Sequence, residues 1–276
     1  MARLTPGRWA VLGLAALYFL VPLGASVIFS VDVNGSITFD AYSQIVGTGG
    51  FVSSLVLALE LAAATITLVL LLMVPAMVAL RLGAPRLRPV VEVVCALPLV
   101  VPPIAFVAGI STVLKWGPDH FSRTPFFQTF VAIQNPDFPI VLVLAYVVMA
   151  LPFVHRALDA GLRAIDVPTL VEAARSCGAS RTQALLQAVL PNLRGALLNA
   201  SFLTLALVLG EYTVAHLLGF QPFAVWIVDI SGSQAQMSVA VSVLSLLVTW
   251  ALLLVLAALG GRRAPSRTVS RGMTTP

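Results

Sequence analysis

Charge is scarce in this sequence. Of its 276 residues 10% are Asp, Glu, Lys or Arg, 59% are hydrophobic, and the mean hydropathy is +1.00. A water-soluble domain normally carries about 25% charged residues. So much apolar chain cannot be hidden in one soluble core, and lipid is the expected solvent. Lysine is nearly absent, with Lys115 standing against fifteen arginines. The net charge of +5 does not read as a nucleic-acid footprint: the basic residues sit in short clusters between apolar runs, and the aromatics lie inside those runs. The two cysteines, Cys95 and Cys177, lack metal-ligand spacing. One falls in an apolar run and the other in a polar loop, so no disulfide is expected between them. There is no Gly-rich loop ending in Gly-Lys-Ser/Thr, so any nucleotide chemistry belongs to a partner. His-Glu-x-x-His, Gly-x-Ser-x-Gly and clustered Asp/His within the apolar runs are also missing. No catalytic residue, metal site or bound cofactor is assigned to this chain.

What the sequence has instead is six long apolar runs. A bilayer core about 30 Å thick needs roughly 20 apolar residues in a helix, and residues 9–29, 51–80, 89–113, 138–154, 197–220 and 238–259 approach or exceed that length. The second is long enough to tilt or project; the fourth is short and is expected to continue by a turn at either end. The first exceeds the 7–15 residues of a signal-peptide core and reads as an uncleaved anchor. Basic residues mark the cytoplasmic side. Arg3 and Arg8 precede the first run, Arg81, Arg86 and Arg88 follow the second, and Arg156, Arg163, Arg175, Arg181 and Arg194 follow the fourth. Arg262, Arg263, Arg267 and Arg271 lie in the basic tail, 261–276, whereas Lys115 and Arg123 alone fall in the third loop. Both termini are therefore expected in the cytoplasm, with residues 1–260 as a single all-α, polytopic membrane domain.

The polar stretch 155–195 between the fourth and fifth runs is too regular for a linker. Asp166 is placed to cap a helix that has Pro168 in its first turn, where the missing N–H costs nothing. Leu170, Ala173, Ala174 and Cys177 recur at i, i+3, i+4, i+7 as a narrow apolar stripe. Gly178 fits the left-handed position that ends a helix. Ser180 and Gln183 form a capping box that starts a second one, expected to run to about Val189 and stop at Pro191. Two short helices around a glycine, with small residues on one face, suit a docking handle or an amphipathic loop lying on lipid.

Glu172-Ala173-Ala174, three residues, Gly178, then eleven residues to Leu190-Pro191 resembles the EAA loop of the binding-protein-dependent ABC importer permeases. One position departs, Ala188 standing where the family often has isoleucine or valine, with Val189 next. The resemblance implies the MetI-like type I fold, with six transmembrane helices in the bacterial cytoplasmic membrane. It also implies the partners: two copies of a cytoplasmic ATPase carrying ATP and Mg, a second, related permease subunit, and an external solute-binding protein. Glu172 and Gly178 are then the residues most tied to coupling. A Gly-Glu-aromatic stretch at Gly210-Glu211-Tyr212 looks like the polyamine, iron and thiamine branch of these permeases. The implied cargo is a small polar or cationic solute such as a polyamine; iron, thiamine, phosphonate or sugar are alternatives. A secondary transporter working without ATP is the rival class, but no repeat relates the two halves of the chain and the EAA spacing would go unexplained.

Three acids fall within the predicted spans, where a charge costs about 2.5–3.5 kcal/mol on insertion scales unless it finds a partner, a cavity or a proton. Glu92 is four residues after Arg88 and reads as an interfacial ion pair. Glu60 and Glu211 lie deeper; each either lines a route for a cationic solute or makes a structural hydrogen bond between spans. Pro98, Pro102 and Pro103 put a gating bend or a static kink in the third run. The aromatic third loop, 115–137, is expected to form a surface helix or to contact the binding protein.

Overall fold

Two kinds of break organise this chain, those imposed by proline and those built by a side chain. The computed structural model describes residues 6–33 and 36–260, so Arg3 and the expected basic tail at 261–276 lie outside the described residues. α1 (Pro6–Val31) leads into a hairpin of β1 (Asp32–Val33) on β2 (Ser36–Ile37), then α2 (Asp40–Gln44) and a 3-10 turn (Ile45–Gly47). α3 (Phe51–Leu82) follows, and at 32 residues it is about 48 Å long. A second 3-10 turn (Pro85–Leu87) precedes α4 (Arg88–Val100) and α5 (Pro103–Phe121), and α6 (Phe126–Ala132) leads to α7 (Ile140–Arg163). Next come α8 (Val167–Ser176) and α9 (Arg181–Ala184), then a π-helical turn (Leu185–Val189) and α10 (Leu190–Asn192). The described residues finish with α11 (Arg194–Gly210), α12 (Thr213–Leu217), α13 (Phe223–Ser231) and α14 (Ala235–Gly260).

Among the described residues the architecture is all-helical apart from the hairpin. By length and composition four helices, α1, α3, α7 and α14, are able to cross a membrane, and up to six crossings result if each of two bent pairs counts as one. The bent pairs correct the sequence-based spans. The run 89–113 is two helices meeting at 101°. The tandem prolines cause the break, because a residue before proline is driven out of the helical region. Val101, before Pro102, has ψ 121°, and Pro102, before Pro103, has ψ 140°. Pro103 then opens α5 at the first helical position, where no N–H is needed. Isolated prolines behave differently: Pro22, Pro75, Pro98 and Pro152 all sit within helices. The run 197–220 also divides, its helix ending at Gly210. The run 138–154 is too short as read, since α7 continues nine residues further to Arg163.

Cross-contacts sort the loops into two ends. At one end Trp226 Nε1 donates to Gly49 O at 3.1 Å, and the Gln236 side chain donates to Asp32 O at 3.2 Å. Asp137 shares a hollow there with the start of α3. At the other end Asp159 of α7 accepts from Arg81 of α3 and Arg88 of α4. The core lies between these ends. α3, α7 and α11 pack together, and buried alanines recur along them at positions 58, 62, 145, 150, 157 and 200. In lipid, apolar burial gives little net drive, so association depends on the close backbone approach that small residues allow. One close approach is at Gly161, where an added Cβ would stand 2.3 Å from Ala196 Cβ.

Candidate functional site

The loop after α7 folds from its own caps. The Asp166 side chain accepts from Thr169 N at 3.3 Å and from Thr169 Oγ1 at 2.7 Å, fixing the start of α8. At the other end Ala179 N donates to Ala174 O (3.1 Å) and Gly178 N to Arg175 O (2.9 Å), the two bonds of a Schellman turn. Gly178 takes φ +89°, as the sequence requires of that position. The capping box is present in both directions: Ser180 N donates to Gln183 Oε1 at 2.8 Å and Gln183 N to Ser180 Oγ at 3.2 Å.

The second helix does not stop at Pro191, as its proline suggested, but runs on to Asn192. A proline ring clashes with the carbonyl four residues back, and the π-helical turn just before Pro191 widens the ladder there. Asn192 Nδ2 donates to Ala188 O at 2.7 Å, satisfying a carbonyl beside the disturbed ladder. At Leu193 the chain bends 76° into α11, so the handle lies across the direction of the span it joins.

The buried face of α8 is the expected stripe displaced three residues toward the N-terminus. Val167 is fully buried and Leu170, Val171 and Ala174 are partly buried, whereas Ala173 and Cys177 are exposed together with Glu172. The β-branched Val167 and Val171 supply more apolar surface than Ala173 and Cys177, and they decide which side turns inward. In the second helix Ala184, Val189 and Leu193 are buried, with Leu190 partly so. Val167, Val189 and Leu193 belong to the same core cluster as Val69, Met73, Val154, Leu158 and Leu162 of α3 and α7. Glu172, Ala173, Gly178 and Pro191 stay on the outside, and Leu186 projects there at 55% exposure. Sequence reasoning passed over Leu186, which three residues before Val189 would share its face in a regular α-helix and which the π-helical turn Leu185–Val189 carries outward.

A cavity of about 570 Å³ separates the C-terminal end of α3 from the handle, bounded by Pro75, Val78 and Leu82 on one wall and Val171, Glu172, Arg175 and Arg181 on the other. Glu172 and Arg175 face this cavity without pairing to each other; the Glu172 backbone carbonyl accepts from Ser176 Oγ at 3.0 Å. Beside it Asp159 gathers three guanidinium groups: Arg81 at 2.8 Å, Arg88 at 3.2 Å, and Arg163 one turn along α7. The expected Arg88–Glu92 pair is therefore replaced by Arg88–Asp159, which a contact across 71 positions makes and no local spacing reveals.

The intramembrane acids separate. Glu211 is buried where α11 unwinds, and its carboxylate accepts from Val214 N at 2.7 Å and Ala215 N at 3.2 Å, capping α12. Tyr212 stacks on His216 with ring centroids 4.8 Å apart. Glu60 is exposed on α3 and lines a different hollow of about 550 Å³, together with Thr48, Ser53 and Asp137. In the aromatic third loop α5 extends through Trp116 to Phe121, and Phe121 stacks on Phe130 of α6. Among the described residues no group of three or more His, Cys, Asp or Glu is placed to hold a metal ion.

Residues 72–266 match the family model described as the binding-protein-dependent transport system inner membrane component. The match begins in the C-terminal half of α3 and takes in the Asp159 cluster, the handle and the Glu211 break. No curated protein matches the chain.

Proposed function

The chain belongs to the family of inner membrane components of binding-protein-dependent transport systems, and from that premise we propose that it is the permease subunit of an ATP-driven ABC importer of the MetI-like type I fold. It forms half of a substrate pathway with a second permease. It is worked by two copies of a cytoplasmic ATPase that supply ATP and Mg, and it receives solute from an external binding protein. Six spans, with both termini in the cytoplasm, accord with the two-ended sorting of the loops. One observation carries the coupling role: the handle turns Val167 and Val189 into the core of α3 and α7 while presenting Glu172, Ala173, Gly178, Leu186 and Pro191 outward. A force applied to the outer face thus reaches the spans through packed side chains rather than through a loose tether.

Cargo is assigned by chemistry. Glu60 and Asp137 give the outer hollow two carboxylates, which suits a small polar or cationic solute of the polyamine kind. With both Glu211 oxygens committed to backbone donors, Glu60 is the better candidate for direct contact with cargo, and Glu211 and Tyr212 shape the pathway wall.

Copurification tests this reading. The ATPase is expected to remain bound in mild detergent and to be lost from Glu172→Ala and Gly178→Ala variants. Left-handed backbone at a non-glycine residue costs about 1–2 kcal/mol, and no atom lies within 4 Å of a Cβ at Gly178, so the second variant alters backbone geometry without a clash. Solute uptake by the chain alone, with no ATPase present, would falsify the proposal.

A further inference from the structure

The exposed face of α4 carries two polar features that the rest of the described chain leaves unsatisfied. The first is the tandem-proline break. The last carbonyls of a helix would look to N–H groups four residues on, and for Pro98 and Leu99 those residues are Pro102 and Pro103, which have none. Val101 N donates to Leu97 O at 3.3 Å, but among the described residues no donor reaches the carbonyls of Pro98, Leu99 or Val100. The start of α5 offers Ile104 and Ala105 as free donors; Pro103 has no N–H, and Phe106 N donates to Pro102 O. Acceptors are therefore in excess. Leu99, Val100 and Val101 are also left uncovered, Val100 at 78% exposure.

The second feature is Glu92. It precedes Leu99 by two helical turns, about 11 Å, on the same face. It is exposed, and among the described residues no basic side chain pairs with it. Val91 and Cys95 turn the opposite side of α4 into the core. Leu99 is about 17 Å along α4 from Arg88, well inside a bilayer core about 30 Å thick. Irregular backbone at that depth persists where protein covers it or water reaches it. A covering protein would have to bring donors for three carbonyls and a cation for Glu92, whereas water carrying a cation supplies both. We infer that this face of α4 lines the aqueous route of the cargo, with the Pro98, Leu99 and Val100 carbonyls as a cation-coordinating rim and Glu92 as the next anionic group toward the Arg88 end. Backbone carbonyls can replace the hydration shell of a cation. They carry no full charge, so the cation is held loosely enough to pass on. The inference rests on the transport reading and adds where along the pathway a cation is held.

Charge selectivity tests it, since a merely water-filled cleft has none. The assembly with its ATPase and binding protein, nucleotide-free and ATP-bound, is prepared with Val100→Cys, a change at an exposed side chain. The new thiol is treated with a cationic methanethiosulfonate (the ethyltrimethylammonium reagent) and an anionic one (the ethylsulfonate). Each rate is taken relative to that of a free thiol in solution, and mass spectrometry separates this site from Cys95 and Cys177. The cationic reagent is expected to react about tenfold or more faster than the anionic one. Glu92→Gln is expected to cut that preference about threefold or more while the ATPase stays bound. No reaction in either form, as lipid or the companion permease over this face would give, overturns the inference. Equal rates for the two reagents, or a preference unchanged by Glu92→Gln, overturn it too. Labelling needs no transport, so these results leave the importer assignment standing. That assignment fails separately, if the wild-type assembly in proteoliposomes takes up no solute that its binding protein carries.

Discussion

Asp159 ties α3, α4 and α7 together with one carboxylate. Its contacts are unequal, since the Arg81 side chain is 25% exposed and that of Arg163 is 60% exposed. Solvent-exposed pairs contribute about 0–1 kcal/mol and partly buried ones more. Arg81→Ala is therefore expected to destabilise the protein by about 1–2 kcal/mol and Arg163→Ala by a few tenths. Asp159→Asn should exceed both, because three guanidinium groups then crowd together without their counter-charge. Thermal unfolding in detergent checks the order, and a larger loss from Arg163→Ala than from Arg81→Ala would refute it. At this scale the sequence is informative where partners are near neighbours. Asp166 with Thr169, Ser180 with Gln183 and the left-handed Gly178 are all local chemistry, and all appear as expected. Arg88 has a plausible neighbour in Glu92 and a better partner 71 positions away, which no local rule weighs.

Elements follow the same division. Apolar length locates α1, α3 and α14 to within a few residues, because lipid thickness sets the length and lipid tolerates no exposed backbone. It misses the inner third of α7, because His155, Arg156, Asp159 and Arg163 look like loop until their partners on α3 and α4 are in place. It also misses the break at Glu211, where the helix ends for a capping carboxylate and not for a glycine or proline signal. Close approach of elements is likewise silent in sequence. Gly161 reads as an unremarkable small residue, yet α7 meets α11 there. Gly161→Ala would place its methyl 2.3 Å from Ala196 Cβ, so one helix must shift. Overpacking of this kind costs about 1–3 kcal/mol. The variant is expected to lower the thermal midpoint and ATPase retention together, because Leu193, where the handle joins α11, lies against the same spot. The compensating Ala196→Gly change should recover both, and a double variant no better than the single would show that this contact is not the cause.

Across the described residues the handle and the helices it packs on form one body with distinct ends, and orientation decides how it works. The handle can meet a cytoplasmic ATPase only if the Asp159 end faces inward. Cys177 reports on this without engineering, since it is exposed on the handle and the other cysteine, Cys95, is buried among the spans. A membrane-impermeant maleimide added to intact cells is expected to leave the protein unlabelled, and the same reagent added to inverted membrane vesicles to modify one site. Bound ATPase should slow that reaction, because Cys177 shares its exposed face with Glu172 and Gly178. Labelling from outside would place the handle beyond the reach of ATP, and slowing by the binding protein instead of the ATPase would assign this face to the wrong partner. Protection on the inner side would join the two halves of the proposed mechanism: the protected face would be the reverse of the one that Val167 and Val189 bury against α3 and α7, and ATPase movement would then be transmitted to those helices through the shared core.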